Sequence, residues 1–232
     1  MMKQKKMSIK IITLFPKFVE DFVDAFGIVK RAIKKKLLNI EAVNLRVFGL
    51  DERQTVDGRP YGGGAGMLLR PDVLYKAIKK FATKKSRIIL LTPQGKKFTQ
   101  KDAHRLAKID NLVLVCGRYE GFDERIRQFA NEEISIGDYV IMGGELPALV
   151  LCEALMRLRA GILGKDESSM AESFVNDLLE YPQYTKPEVW KVGKKIFRVP
   201  KVLLTGHHKN INDWRSAESQ KRTKKRRPDP AG

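Results

Sequence analysis

Three short strings set glycine beside polar and aromatic residues: Thr92-Pro93-Gln94-Gly95, Gly117-Arg118-Tyr119-Glu120-Gly121, and Ser135-Ile136-Gly137-Asp138-Tyr139, which runs on to Gly143-Gly144-Glu145. Glycine turns let backbone N–H and C=O groups approach a ligand with no side chain between, which suits recognition of a small molecule of mixed polarity. None of the strings has the GxGxxG spacing that opens a helix after the first strand. None is a GxxxxGK[ST] phosphate loop either, so a conventional dinucleotide or triphosphate site is disfavoured. Taken singly, each glycine is better explained as a turn residue at positive φ. The weight lies in three such strings that all follow strands.

The strands and helices that would position them can be read from periodicity. Residues 8–14 (SIKIITL) are apolar and β-branched, stopped by Pro16, and predict a first strand. Phe18, Phe22, Val23 and Phe26 recur at helical spacing, Gly27 punctuates, and residues 28–38 repeat the period with basic residues opposite. Residues 39–47 return as a strand, and residues 49–66 are a long, polar, glycine-rich loop of the kind that carries function. Residues 87–91 (RIILL) and 111–116 (NLVLVC) are continuous apolar runs, as strands buried on both faces require, with a helix over 101–109 between them. That order is βαβ, and the sheet is parallel. Residues 145–159 predict a helix with Leu146, Leu149, Val150, Ala154, Leu155 and Leu158 on one stripe, ended by Gly161. The glycine strings then fall at the C-terminal ends of strands, the edge of an open α/β sheet where ligands bind. The reading gives a core domain over 1–162, a polar linker over 163–181 and a small helical domain over 182–232 that holds both tryptophans, Trp190 and Trp214.

Composition names the class of partner. Against 27 Asp and Glu stand 45 Lys and Arg, a net charge of +18 with a pI near 9.9, which is the footprint of a nucleic-acid binder. The excess is clustered: six of the seven residues from Lys221 to Arg227 are basic, and Lys34, Lys35 and Lys36 form a second group. No apolar run approaches the roughly 18 residues of a membrane span and no apolar region follows the basic N-terminus, so the expected location is the cytoplasm, with no membrane partner. Cys116 and Cys152 belong to no CxxC pair or ligand cluster and read as buried small hydrophobes in a reducing compartment. His207 and His208 are adjacent, with no acidic or cysteine ligand pattern nearby, and read as structural; no metal site is assigned.

The order and content of several strings carry more than their glycines. YGGGAGM (61–67), CGRYEGFDERI (116–126) and SIGDYVIMGGELPAL (135–149), with YPQYTKPEVW and GHHKNINDWR further on, closely resemble the bacterial tRNA (guanine-N1)-methyltransferase family, of the SPOUT class. The match runs from residue 7 to 228. The resemblance implies an α/β fold with a parallel sheet and a deep trefoil knot, followed by a small helical domain that binds tRNA. It implies S-adenosylmethionine held in the knot, mostly by backbone groups, against Leu90, Thr92, Pro93, Gln94, Gly95, Gly117, Tyr119, Glu120, Gly121, Ser135, Ile136, Gly137, Asp138, Tyr139, Val140, Ile141, Gly143, Gly144, Leu146 and Pro147. Towards the RNA it implies Tyr61, Gly62, Gly63, Gly64 and Glu120, with Lys221, Arg222, Lys224 and Lys225 on the phosphates. It implies a homodimer, because the family's active site lies between one subunit's knot and the other's linker and C-terminal domain. It also raises Mg²⁺ as an open requirement of activity.

The reaction so implied is methyl transfer to N1 of the guanine just 3′ of the anticodon. That N1 carries a proton at neutral pH, so the acceptor needs a base, and charge developing on O6 needs a cation; a carboxylate and an arginine are the minimum set. Arg157 stands at the family's catalytic arginine. The family's aspartate before Ser-Phe is replaced here: the string is Ala171-Glu172-Ser173-Phe174, so Glu172 inherits the base position with one more methylene, and Asp177 or a water is the alternative. Two other readings stand beside this one. The chain could be a non-catalytic RNA-binding protein that keeps the fold, or a SPOUT-class enzyme acting on ribose 2′-OH, the latter argued against by YGGGAGM and GHHKNINDWR.

Overall fold

The computed structural model describes residues 6–162 and 178–227, which belong to two compact units. The first unit is an α/β layer structure. In chain order it contains β1 (Met7–Thr13), α1 (Pro16–Ala25), α2 (Gly27–Lys34), β2 (Leu38–Asn44), the two-residue strands β3 (Asp57–Gly58) and β4 (Leu68–Leu69), and α3 (Pro71–Phe81). It continues with β5 (Arg87–Lys97), α4 (Gln100–Leu106), β6 (Asn111–Cys116), β7 (Glu132–Ser135) and α5 (Glu145–Arg157). The five long strands form one sheet in the order β2-β1-β6-β5-β7, and every pairing in it is parallel.

Helices cover both faces, which is why the central strands read as unbroken apolar runs. Side chains alternate between two cores. Ile9, Ile11, Leu112, Leu114, Ile89 and Leu91 face α1, α2, α4 and α5. Ile12, Val113, Val115 and Leu90 face α3 and the segment around Leu45 and Val56. Cys116 and Cys152 are buried in the first core, as their apolar context predicts; burial holds both thiols above the usual range, Cys152 at about 12.

The structure corrects the expected elements in five places. β2 stops at Asn44, whose side chain accepts from Arg46 N (3.0 Å) and caps a 3₁₀ turn over Leu45–Phe48; a capping Asn outweighs the apolar run that would otherwise extend the strand. The loop after it contains β3, paired antiparallel with β4. α3 was absent from the sequence reading, although Pro71 at its first turn and buried Val73, Leu74, Ala77 and Ile78 mark it. β5 runs on through Thr92-Pro93-Gln94-Gly95, with a register break between Leu91 and Lys96 in its pairing to β7, so the first glycine string is an irregular strand end. On α5 the buried side is Ala148, Leu149, Leu151, Cys152, Leu155 and Met156, while Leu146 and Val150 are exposed. Nearly every position from 146 to 156 is apolar, so periodicity could not select the face.

In the second unit, β8 (Val189–Val192) and β9 (Lys195–Arg198) form a two-stranded hairpin, followed by a 3₁₀ turn and the 19-residue α6 (His208–Arg226). The expectation of helices alone missed the hairpin. Residues 179–181 lie along α6: Leu179 N donates to Thr223 Oγ1 (2.8 Å), Ser219 Oγ donates to Leu179 O (2.5 Å), and the Arg215 guanidinium sits 4.8 Å from the Tyr181 ring centre. No helix among the described residues is long and apolar enough to cross a membrane.

Candidate active site

At the C-terminal edge of β5, β6 and β7 the structure opens a cleft of about 220 Å³. Its wall comes from three segments: Leu91 to Gln94, Gly117 to Phe122, and Ile134 to Gly137 with Tyr139 to Gly144, closed by Pro147 at the start of α5. Leu91, Pro93, Ile134, Ile136, Ile141 and Pro147 give it apolar surface, and the turns give it backbone donors and acceptors. That combination suits a flat heteroaromatic ring carrying polar edges.

The segments touch through backbone. Gly144 N donates to Gly117 O (2.8 Å), and a Cβ on Gly144 would stand 2.6 Å from Cys116 Cα and 2.7 Å from Gly117 N, so no other residue permits this approach. Tyr119, a non-glycine residue, is held at φ +59°, in the left-handed region; such strain of order 1–2 kcal/mol persists where surrounding structure imposes it. Here the imposing bonds are Glu120 N to Met67 O (3.0 Å), Gly121 N to Arg118 O (3.1 Å) and Leu69 N to Gly121 O (2.9 Å). They also tie the YGGGAGM loop to the cleft.

One wall residue, the partly exposed Arg118, belongs to an ionic cluster around a buried carboxylate. Glu145, in the first turn of α5 and 2% exposed, accepts from Thr13 Oγ1 (2.6 Å) at the end of β1 and from Arg118 Nε (2.9 Å), with Arg118 Nη2 2.8 Å away. Arg118 Nη1 also donates to Met142 O (3.2 Å), and its guanidinium stacks 4.3 Å from the Phe15 ring centre. Thr13 Oγ1 accepts from Phe15 N (2.9 Å). One arginine therefore joins the second and third wall segments to each other and to β1. A buried pair this well satisfied costs little, whereas removal of one partner leaves an uncompensated charge.

The family model for tRNA (guanine-1)-methyltransferases matches residues 7–231. The chain belongs to this family. Among similar proteins, a tRNA (guanine-N(1)-)-methyltransferase from Thermus thermophilus is 47% identical over 223 residues, covering 96% of this chain and 91% of its own length. Proteins of the same name from Prochlorococcus marinus (48% over 225 residues; 96% and 89%) and Lacticaseibacillus paracasei (46% over 226 residues; 96% and 86%) are matched as fully.

The three strings line one cleft, and of the positions the resemblance assigns to the cofactor four stand outside its wall. Leu90 is fully buried and faces the second core. Gly95 lies against β7, where a Cβ would meet Glu133 C and Ile134 N at 2.5 Å, so packing rather than a ligand demands it. Asp138 pairs with Lys97, and Leu146 is half exposed outside the wall. Sequence reasoning in turn missed Leu91, Phe122, Ile134 and Met142 in the wall and the whole Arg118–Glu145–Thr13 cluster. Its partners are 27 and 132 positions apart; the one available signal was a charged residue inside each of two glycine strings.

The residues expected to meet RNA belong to both units. Glu120 is exposed at the cleft's rim, beside Gly66. Tyr61 is 98% exposed and Gly62, Gly63 and Gly64 are exposed with it. Lys221, Arg222, Lys224 and Lys225 lie on α6, where Lys221 is 3.8 Å from Glu218 and Arg222 donates to Glu180 O (3.5 Å). Arg157 occupies the last turn of α5, exposed, ten residues beyond Pro147 of the cleft wall; at 1.5 Å per residue that is about 15 Å along the helix. Glu172 and Asp177 lie outside the described residues.

Proposed function

We propose that this protein transfers a methyl group from S-adenosylmethionine to N1 of the guanine immediately 3′ of the anticodon in tRNA. The observation that carries the reading is the convergence of the three glycine strings into one cleft at the sheet's ligand-binding edge, in a chain matched to the family over residues 7–231. Bound in the cleft, the cofactor supplies an electrophilic sulfonium methyl group. In this proposal its backbone path is the family's deep trefoil knot, formed by the segments that carry those strings.

The chain's own groups divide the remaining work. Glu172 takes the N1 proton as the new bond forms, Arg157 stabilises the charge on O6, and Glu120 accepts from the N–H groups of the target base. Arg157 stands about 15 Å along α5 from Pro147 of its own cleft by helix rise, so in this proposal one active site combines the cleft of one subunit with Arg157 and Glu172 of another. Met142, Leu146 and Val150, exposed at 89%, 54% and 47%, give a second copy an apolar surface next to the cleft. The homodimer is thus part of the proposal, as is a cytoplasmic site of action. Because RNA readers take unstacked bases from loops, the target guanine is one that can be splayed into the cleft.

Transfer of labelled methyl to tRNA transcripts tests this. A transcript with guanine at the target position is expected to be labelled at N1, and its counterpart without that guanine to stay unlabelled; the same assay with a chelator decides the Mg²⁺ requirement. Tight tRNA binding with no transfer to either would favour the non-catalytic reading.

A further inference from the structure

The β8–β9 hairpin stands without cover. It is a two-stranded sheet by itself, turned at Gly193 (φ +57°) and Lys194, and both strands are exposed apart from Val189. Trp190 and Phe197 face each other across the strands with ring centres 5.4 Å apart, 58% and 48% exposed. Hairpins of this size are marginal in water, and a large exposed aromatic pair marks a binding surface.

Charge identifies what binds. From 188 to 201 the chain carries Lys191, Lys194, Lys195, Arg198 and Lys201 against Glu188 alone. Among the described residues none of Lys191, Lys194, Lys195 and Arg198 is ion-paired. Lysine is depleted from the cores of protein interfaces, whereas an aromatic flanked by cations is how proteins hold a nucleic-acid strand: the ring stacks on a base and the cations meet its phosphates. Lys195, opposite Val192, shares the face of Trp190 and Phe197, and Lys191 and Arg198 take the other.

We propose that this hairpin is an RNA-contact site in addition to the basic end of α6. Trp190, backed by Phe197, stacks on an unpaired or terminal base of the RNA, and Lys195 on the same face and Lys194 at the turn meet the adjoining phosphates. The inference rests on tRNA being the substrate.

Trp190 and Trp214 are the chain's two tryptophans, so Trp214→Phe leaves Trp190 as its single indole. Titrating that variant with a tRNA transcript is expected to quench the emission saturably, with a midpoint that rises with salt. In the otherwise unaltered full chain, Trp190→Leu should raise the KM for tRNA about tenfold while Trp190→Phe stays within about threefold of the parent, since a stack needs a π face and not merely an apolar one; kcat and cofactor affinity should not move. Emission indifferent to RNA in a protein that methylates the same transcript would overturn the proposal. So would a Leu variant equal to the Phe variant. Sedimentation of Trp190→Leu as a monomer, with kcat lost, would make the hairpin a contact between copies and overturn it too. An unaltered chain that transfers no methyl contradicts the proposed function instead, and the quenching arm still reads the hairpin.

Discussion

In the cleft, the wall is braced by Gly144 against Gly117 and by Arg118, which ties it to the buried Glu145 and Thr13. In the second unit the groups expected to face RNA stand on an exposed hairpin and on a helix with no buried residue. In the proposed function the difference follows from what each recognises. A small cofactor is read by backbone geometry that has to be fixed before binding, whereas a phosphate chain is read largely by charge, which acts at a distance and tolerates motion. Damage to the cleft should therefore appear in stability and cofactor binding, and damage to the second unit in RNA affinity and its salt dependence.

The largest effect should come from Glu172, the proposed base, which lies outside the described residues. Glu172→Gln should lower the single-turnover rate by on the order of 100- to 10,000-fold, the usual contribution of a general base, while cofactor and tRNA affinities stay near those of the parent. Glu172→Asp tests whether the site has adapted to the longer side chain. A glutamine variant within about threefold of the parent rate would place the base elsewhere, with Asp177 next to be tested.

Within the cleft, Arg118→Leu leaves the Glu145 carboxylate buried and unpaired, and should cost about 3–5 kcal/mol of stability together with cofactor affinity. Arg118→Leu combined with Glu145→Leu should recover much of that loss, because the double replacement strands no charge. Denaturant unfolding of the three proteins measures both. Equal stability of single and double variants would show that the cluster is not energetically coupled.

What could be read beforehand divides along the same line. RIILL and NLVLVC announced central strands because a strand buried on both faces leaves no alternative to an apolar run, and the glycine strings were visible as units because each is continuous in sequence. The Arg118–Glu145–Thr13 cluster was not visible, since its partners are brought together only by the sheet order. The hairpin was hidden by its exposure: VWKVGKKIFR has a two-residue turn marked by Gly193 but no buried alternation to declare strands. Arg157 could be assigned from the resemblance, yet only the length of α5 reveals how far it stands from its own cleft.

A smaller effect should appear in acid. Asp102, at the start of α4, is buried, which opposes its charged form, but hydrogen bonds from Thr99, Lys96 and Arg105 outweigh that and hold its carboxyl at about 2, below the ordinary 3.8. Lys96 directly follows the cleft string, so this carboxylate anchors the strand end that carries it. A carboxyl depressed in the folded state stabilises the fold above its unfolded value, and that contribution of about 2 kcal/mol is lost as pH falls from about 4 towards about 2. Asp102→Asn should be less stable than the parent at pH 5 and lose less on going to pH 3. Parallel losses in the two proteins would remove Asp102 from the acid response.

The smallest effects, and the sharpest contrast with the cleft, belong to α6. Each phosphate neutralised by a lysine contributes roughly 0.7–0.9 to the slope of log affinity against log salt. Replacing both Lys224 and Lys225 by Gln should therefore flatten that slope by about 1.5, and each side chain accounts for only about threefold of the affinity change between roughly 50 and 200 mM salt. Thermal stability should not move, because both side chains are exposed on a helix without a buried residue, and cofactor affinity should not move, because neither lines the cleft. Filter binding of one tRNA transcript across that salt range, alongside a melting curve, reads all three. A variant that binds tRNA with the parent's slope would show that these lysines face solvent in the complex, and would shift the electrostatic contact to the hairpin or to Lys34, Lys35 and Lys36. A variant that melts early would show instead that α6 is held by its charges, contradicting the distinction between a braced cleft and an unbraced RNA surface.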